Sequence, residues 1–298
     1  MQHSLFSDLT TLRDRETGEI PPFKTQLIKW VGNKQRYADQ IIRHFPRSFG
    51  TYYEPFLGSG GVLANLAPSR ALASDVFGPL IDIWQCLSQD PDRLKQWYHD
   101  RWSYVHAGDQ LRRYEEIKAR YNASPNGADL LFLSRACYGG VVRFRKKDGM
   151  MSTPMGSHPI VKPEKFARRV DMWVPRTAGT NFERLDFLDA FARAQTGDLV
   201  YCDPPYSHSQ SILYGAQAFR LADLMDAIAD AKARGVFVAL SIDGTKKSGH
   251  TYCDIAYPED LFENEHFVNI GRSMLKRFQM DGQTLGAEEV QDRLLLTY

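Results

Sequence analysis

The sequence predicts an α/β fold: a discontinuous sheet domain, residues 25–83 and 181–298, interrupted by a mostly helical insertion at 84–180. Three observations predict it. A strand-like Thr51-Tyr52-Tyr53-Glu54 runs into the glycine loop Pro55-Phe56-Leu57-Gly58-Ser59-Gly60-Gly61, and a short helix through Val62 to Leu66 and a second strand ending at Asp75 complete a β-loop-α-β unit. From about Trp84 to Arg176 the text becomes helical and charged. Strand and helix alternation then resumes at Asn181 and continues to the last residues.

Residues 1–24 are polar, carry Pro21-Pro22 and show no clear period, so they read as an N-terminal arm. Lys34 to Phe45 places Tyr37, Ile41 and Phe45 four apart, the spacing of a helix with one buried stripe. In the insertion, Leu111, Tyr114, Ile117 and Tyr121 share one side of a helix over 109–121, and a further helix spans Ala128 to Tyr138. The runs Val141 to Arg145 and Met150 to Thr153 flank Lys146-Lys147-Asp148-Gly149 and predict a β-hairpin, with Asp-Gly as its turn signal. Asp198 to Cys202 reads as a buried strand, Phe219 to Arg234 as a helix stopped by Gly235, and Val236 to Ile242 as an apolar strand. Phe267 to Ile270 and Arg293 to Thr297 supply a terminal strand pair.

The 298 residues are 43% hydrophobic and 24% charged, ordinary for a globular chain with a sizeable core. No stretch approaches the roughly 20 apolar residues of a membrane helix, and Met1 to Thr10 lacks a signal peptide's pattern, so a cytoplasmic protein is expected. Cys86, Cys137, Cys202 and Cys253 lie far apart, and the eight histidines form no ligand-spaced pair; buried thiols and no metal are the expectation. The formal charge of +1 hides an asymmetry. Residues 135–177 hold ten Lys/Arg against three Asp/Glu, a local +7 that leaves about −6 for the rest. Such a run is either a solvated face or a nucleic-acid surface.

Two constellations carry chemistry. The glycine loop lets backbone approach a ligand at the carboxyl edge of the sheet, but its Gly-x-Gly-Gly spacing is not the Gly-x-Gly-x-x-Gly of a pyrophosphate cradle. Asp75, 17 residues after Gly58, is placed to bind a ribose, and a ribose without a pyrophosphate suits S-adenosylmethionine. Taken alone the loop is equally well read as turn chemistry. The second constellation is Asp203-Pro204-Pro205-Tyr206, directly after an apolar strand. Adenine N6 is a poor nucleophile because its lone pair is delocalised into the ring. A methylase must therefore polarise the amino group with two acceptors. The Asp203 carboxylate can accept one N6 hydrogen, and the Pro204 carbonyl, held rigid by the next proline, can accept the other. Tyr206 offers a flat face on which an extruded base can stack. The bland alternative is a proline turn with a packed tyrosine.

Taken together, these motifs resemble the Dam-like family of DNA adenine methylases, with the cofactor motif first, a recognition domain inserted and the catalytic motif last. Leu27-Ile28-Lys29-Trp30-Val31-Gly32-Asn33-Lys34 is similar to the family's Leu-Lys-Trp-Ala-Gly-Gly-Lys opening, and Tyr53 to Gly60 to its glycine loop. The resemblance implies a Rossmann-like methyltransferase sheet with an inserted, mostly helical DNA-recognition domain carrying a β-hairpin. It implies S-adenosyl-L-methionine bound by Trp30, Lys34, Glu54, Pro55, Phe56, Gly58, Gly60, Asp75, Asp186 and Asp203, catalysis by Asp203, Pro204 and Tyr206, and double-stranded DNA as partner. A cognate restriction endonuclease is compatible with it, though no residue demands one.

Arg135-Ala136-Cys137-Tyr138-Gly139-Gly140-Val141-Val142-Arg143 resembles the family's Arg-x-Cys-Tyr-Asn-Gly-Leu-x-Arg recognition segment. It departs at Gly139, where Asn is usual. Ser157 stands where GATC-specific members carry Arg, and Asp243 where Asn is common. The first two departures imply a target other than GATC. Arg143 and Arg145 are the expected base readers, since an arginine fork matches guanine O6 and N7, Lys146 and Lys147 are the expected phosphate contacts, and Tyr138 and Pro154 are expected to touch DNA as well. Methylation of cytosine N4, RNA or a protein amide needs the same amino-group polarisation and stays open on motifs alone. A catalytically silent DNA-binding subunit would keep the fold, but intact Trp30, Lys34, Asp75 and Asp203 argue against it, and an unrelated α/β nucleotide enzyme would call for a phosphate loop or metal ligands that are not evident.

Overall fold

A computed structural model of the chain describes residues 22–205, 219–243, 245–246, 251–252, 257–271 and 290–298. Tyr206, Cys253 and residues 1–21 of the expected arm lie outside them.

The expected sheet forms with seven strands in the order β3-β2-β1-β4-β5-β9-β8: Thr180–Glu183, Ala71–Ser74, Tyr52–Glu54, Leu199–Cys202, Phe237–Asp243, Val290–Leu296 and Asn264–Gly271. The first five pair parallel; β9 runs antiparallel between β5 and β8, which is the terminal strand pair read from the sequence. A two-stranded β6-β7 pair, Thr245–Lys246 and Thr251–Tyr252, stands apart. Parallel strands need cover on both faces, and the alternation provides it. Tyr52, Leu199, Tyr201 and Ala239 enter the core on one face; Tyr53, Val200, Cys202 and Leu240 enter the core on the other.

Helices α1 (Ala38–Ile42), α2 (Gly61–Leu66) and α3 (Gly78–Gln89) pack on the first face. So do α4 (Pro91–His106), α5 (Gln110–Ala123), α6 (Gly127–Ala136) and α7 (Pro163–Trp173), whose Tyr98, Tyr114, Phe132, Phe166 and Trp173 belong to the same core as the sheet residues. The second face is covered by α8 (Phe187–Arg193) and α9 (Leu221–Ala233), which ends at Gly235 in the left-handed region, φ +76°.

Three local readings change. The helix expected from Lys34 is α-helical only over Ala38–Ile42, because the Asn33 side chain accepts the Gln35 N–H at 2.7 Å and commits the backbone to a turn. The buried stripe of α5 begins at Tyr114, Leu111 being exposed. The two runs around Asp148-Gly149 do approach antiparallel, with Arg145 N–H donating to Met150 O (2.9 Å) and Ser152 N–H to Arg143 O (2.9 Å), but only the isolated bridge Phe144–Met151 forms between them. The Thr153 hydroxyl explains the interruption. It accepts the Arg143 N–H at 2.9 Å and donates to Val141 O at 2.8 Å, standing in for a backbone partner between the arms.

Candidate active site

Between β1 and β4 the chain's direction of winding reverses: β2 and β3 lie to one side, β4 and β5 to the other. Open α/β sheets bind ligands outside the carboxyl ends of the strands at such a point. Here the loops after β1, β2 and β4 enclose a cavity of about 250 Å³, many times the roughly 10–15 Å³ that a single water needs.

The glycine loop closes the floor. Gly58 and Gly60 have φ +49° and +62°, a region that side chains other than glycine's rarely adopt. A Cβ on Gly61 would stand 2.7 Å from the Gln35 backbone nitrogen, so this glycine is what lets the 30–35 segment lie on the loop. Asp75 ties the two strands together, accepting the Gly58 N–H (3.1 Å) and the Phe77 N–H (3.0 Å). Trp30 stacks on Phe77 at 5.9 Å between centroids and walls the cavity beside Gly58.

Of the residues expected at a cofactor, Trp30, Lys34, Glu54, Pro55, Phe56, Gly58, Asp75, Asp186 and Asp203 all line this cavity. Gly60 does not; a Cβ added there would meet the Trp84 ring at 3.3 Å. Asp186 also caps α8, accepting the Leu188 N–H at 3.0 Å. Asp203 and Pro205 face the cavity, and Pro204 is buried beside them. Sequence reasoning named Phe56 but missed Phe187 and Phe219, which complete an aromatic wall with it. Phe56 stacks on Phe187 (5.4 Å), and Phe219 meets both edge-on at 5.8 Å. Its one signal was an aromatic residue directly after Asp186, at the carboxyl end of β3. Also missed was Asp292 on β9, whose carboxylate lies 3.2 Å from Lys34 Nζ while Asp203 Oδ1 lies 2.9 Å from it. Nothing local in the sequence marks a residue 89 positions after Asp203 as its neighbour.

Among the described residues the cavity is lined by four carboxyl groups, Glu54, Asp75, Asp186 and Asp203, and one ammonium, Lys34; with Glu54 held toward its neutral form, the other three carboxyl groups still outnumber the lysine. Burial pushes the Glu54 carboxyl up to about 8, against the Tyr52 hydroxyl that donates to it at 2.7 Å, with Asp203 adding repulsion. Burial likewise pushes Asp75 up to about 6, opposed by backbone hydrogen bonds from Phe77, Gly58 and Val76. Such a lining suits a positively charged ligand and repels a pyrophosphate.

The expected DNA contacts gather elsewhere. Tyr138, Arg143, Lys146, Lys147 and Pro154 are all exposed on the 138–154 segment. Arg145 is exposed too, but its guanidinium is bound to Asp148 at 2.7 and 3.0 Å. Gly139 has φ +64°. Asparagine is the residue besides glycine that best tolerates that region, so the departure at this position keeps the backbone path and deletes a side chain. The segment is joined to the cavity by an aromatic chain, Trp30 to Phe77 to Phe144, the second step at 5.5 Å. It is also joined by Arg135, which donates to Leu27 O (2.8 Å) and Gln26 O (3.2 Å). Among the described residues no His, Cys, Asp and Glu side chains cluster as a metal site, and no helix is long and apolar enough to cross a membrane.

A doubly wound sheet with a ligand-sized cavity, lined by carboxyl groups, at its switch point is the architecture of an α/β enzyme. The chain belongs to the D12 class N6 adenine-specific DNA methyltransferase family, which matches residues 30–270. It is 29% identical over 240 residues to a DNA adenine methylase of Vibrio cholerae, covering 76% of this chain and 83% of that protein. It is 25% identical to the type II methyltransferase M1.LlaDCHI of Lactococcus lactis (76% and 84% covered). It is 24% identical to the DNA N-6-adenine-methyltransferase of Escherichia phage P1, over 84% of this chain but 34% of that longer one. The protein is thus a DNA adenine-N6 methyltransferase, EC 2.1.1.72, and its substrate is DNA.

Proposed function

We propose that the cavity holds S-adenosylmethionine, and that Asp203 with the Pro204 carbonyl polarises the N6 amino group of an adenine turned out of the duplex. Among the described residues the carboxyl groups of the lining outnumber its one lysine, and this carries the reading, because such a lining favours a sulfonium over a phosphate. The bound cofactor supplies an electrophilic methyl group. Every other task falls to the chain. Asp75 presents a carboxylate to a ribose, while the Phe56, Phe187 and Phe219 rings form an apolar wall for a purine. Trp30 and the glycine loop exclude water from one side. Asp203 accepts one N6 hydrogen and the Pro204 carbonyl the other, which leaves the nitrogen lone pair directed at the methyl group. Tyr206, outside the described residues, stacks on the extruded base.

Residues 84–180 form the recognition domain in this reading. Arg143 reads a base edge from the 138–154 segment, Tyr138 and Pro154 lie against the bases, and Lys146 and Lys147 hold phosphates. Loss of the Asn side chain at Gly139 and of the Arg at Ser157 directs the enzyme to a sequence other than GATC. A role beside a restriction endonuclease agrees with the name of the Lactococcus relative.

The test is long-read detection of modified bases in plasmid from a methylation-deficient host that expresses the protein or its Asp203→Ala variant. N6-methyladenine at one short motif, other than GATC and absent with the variant, is expected. An active Asp203→Ala protein, or methylation at GATC alone, would sink the corresponding part of the proposal.

A further inference from the structure

Lys34 is almost fully buried and lies between two carboxylates, Asp203 from the loop after β4 and Asp292 from β9. Asp203 borders the cavity; Asp292 does not. From this arrangement we infer that Asp292 is a positioning residue for methyl transfer: it takes up the charge of Lys34, so that Asp203 faces the sulfonium and the adenine amino group with its negative charge uncancelled. The inference rests on the catalytic reading of Asp203 above.

Charge counting gives the physical reason. A lysine at 2.9 Å fixes the Asp203 carboxylate in place, but alone it would also neutralise it. The site has to attract a cationic cofactor and then stabilise the positive charge that passes to N6 as the methyl group moves. A neutral Lys34–Asp203 pair does neither well. With Asp292 included, the three groups sum to −1, and the lysine becomes a geometric clamp instead of a counter-charge. Asp292 is an unfavourable residue for stability alone. It is 4% exposed, and its Oδ2 makes no hydrogen bond among the described residues, being held only by the nearby ammonium. Burying a carboxylate oxygen without a hydrogen bond is costly, and such an atom in a native core calls for an explanation beyond packing. Among the described side chains around the clamp, Glu54, Tyr37, Tyr52 and Tyr201 are pushed toward their neutral protonated forms by burial, so they do not replace its charge; Arg36 also acts on Tyr37, and the backbone of Asp243 pairs with that of Asp292 across β5 and β9.

The experiment compares full-length wild type with Asp292→Asn, Asp292→Glu and Asp292→Gln. Calorimetry measures the affinity of each for S-adenosylmethionine and for its neutral thioether product, S-adenosylhomocysteine. Single-turnover methylation of unmethylated plasmid is measured alongside. Removing the charge should cut the preference for the sulfonium over the thioether by about three- to tenfold and slow methyl transfer by at least as much. Asp292→Glu should restore both. If Asp292→Asn does not fold, the Glu and Gln variants, equal in size to each other, carry the same contrast. An unchanged affinity ratio in the uncharged variants, or equal losses with Glu and Gln, overturns the inference. Failure of the underlying reading looks different: Asp203→Ala would then remain active whatever position 292 does.

Discussion

The carboxyl edge of the sheet and the 138–154 segment both hold carboxyl groups beside backbone N–H donors, yet the two environments act on them in opposite directions. Glu54 and Asp75 are raised by burial to about 8 and about 6. Asp148, on an exposed turn, is held below the usual carboxylate range, first by the Met150 N–H at 3.1 Å and then by Arg145. At the sheet edge the desolvated acids are held by local donors, Glu54 by the Tyr52 hydroxyl and Asp75 by the Gly58 and Phe77 N–H groups; the recognition turn is maintained by the very hydrogen bonds its acid accepts. One region is rigid and costly to ionise, the other is open and needs its charge.

The largest expected effect tests the first half of that contrast. Glu54 ionises near 4.5 in the unfolded chain but near 8 in the folded one, so the native state holds a proton that the unfolded state has released. Its contribution to stability is full below about pH 4.5 and is lost progressively as pH rises through about 8. It amounts to a few kcal/mol at most on an order-of-magnitude scale. Asp75 acts with the same sign over a window that ends near 6. Thermal unfolding between pH 5 and pH 9 should therefore show a falling midpoint, and Glu54→Gln should flatten the upper part of the fall. An equally steep decline in the variant would mean that the carboxyl is solvated in the native protein. Asp148 works in the other direction, its contribution being lost as pH falls below the ordinary carboxylate range.

Next in size is Gly61→Ala. The added Cβ would sit 2.7 Å from a backbone nitrogen and 3.0 Å from the Asn33 side chain. Relieving that overlap must displace the 30–35 segment, which carries Trp30 and Lys34. Overpacking of this kind costs about 1–3 kcal/mol, and S-adenosylmethionine affinity should fall about tenfold or more in calorimetry, with DNA binding retained by gel shift. Unchanged cofactor affinity would show that the segment can move without cost to the site.

The same comparison explains what could be read from the sequence. The sheet edge was legible because its requirements are local. Glycines 58 and 60 need positive φ, Asp75 and Asp203 end strands, and the apolar runs before them alternate between two buried faces. What escaped was assembled across the chain: Asp292 reaches Lys34 only because β9 inserts beside β5, and the Phe56–Phe187–Phe219 wall draws on three separate segments. The recognition segment was legible in its charge but less so in its shape. Asp-Gly announced the turn correctly, whereas consecutive buried Val141 and Val142 break the alternation a paired arm needs, and a threonine hydroxyl takes over part of the ladder.

That hydroxyl offers the smallest and most selective test. Thr153→Val keeps the side chain's volume and branching while removing the acceptor for the Arg143 N–H and the donor to Val141 O. Two backbone groups on either side of Val142 lose their partner, and Thr153 itself is buried, so water cannot readily replace the hydroxyl. The loss, about 1–3 kcal/mol, falls on the arm that presents Arg143. Duplex affinity at fixed salt should drop about tenfold, while S-adenosylmethionine affinity stays at the wild-type value, because Phe144 still packs on Phe77 through its ring. If cofactor affinity falls in parallel, the two regions are one mechanical unit, and the aromatic chain from Phe144 to Trp30 transmits the disturbance. If DNA affinity is unmoved, Arg143 reaches the duplex from an arm whose shape does not depend on the hydroxyl, and the backbone path set by Gly139 and Gly140 becomes the determinant instead.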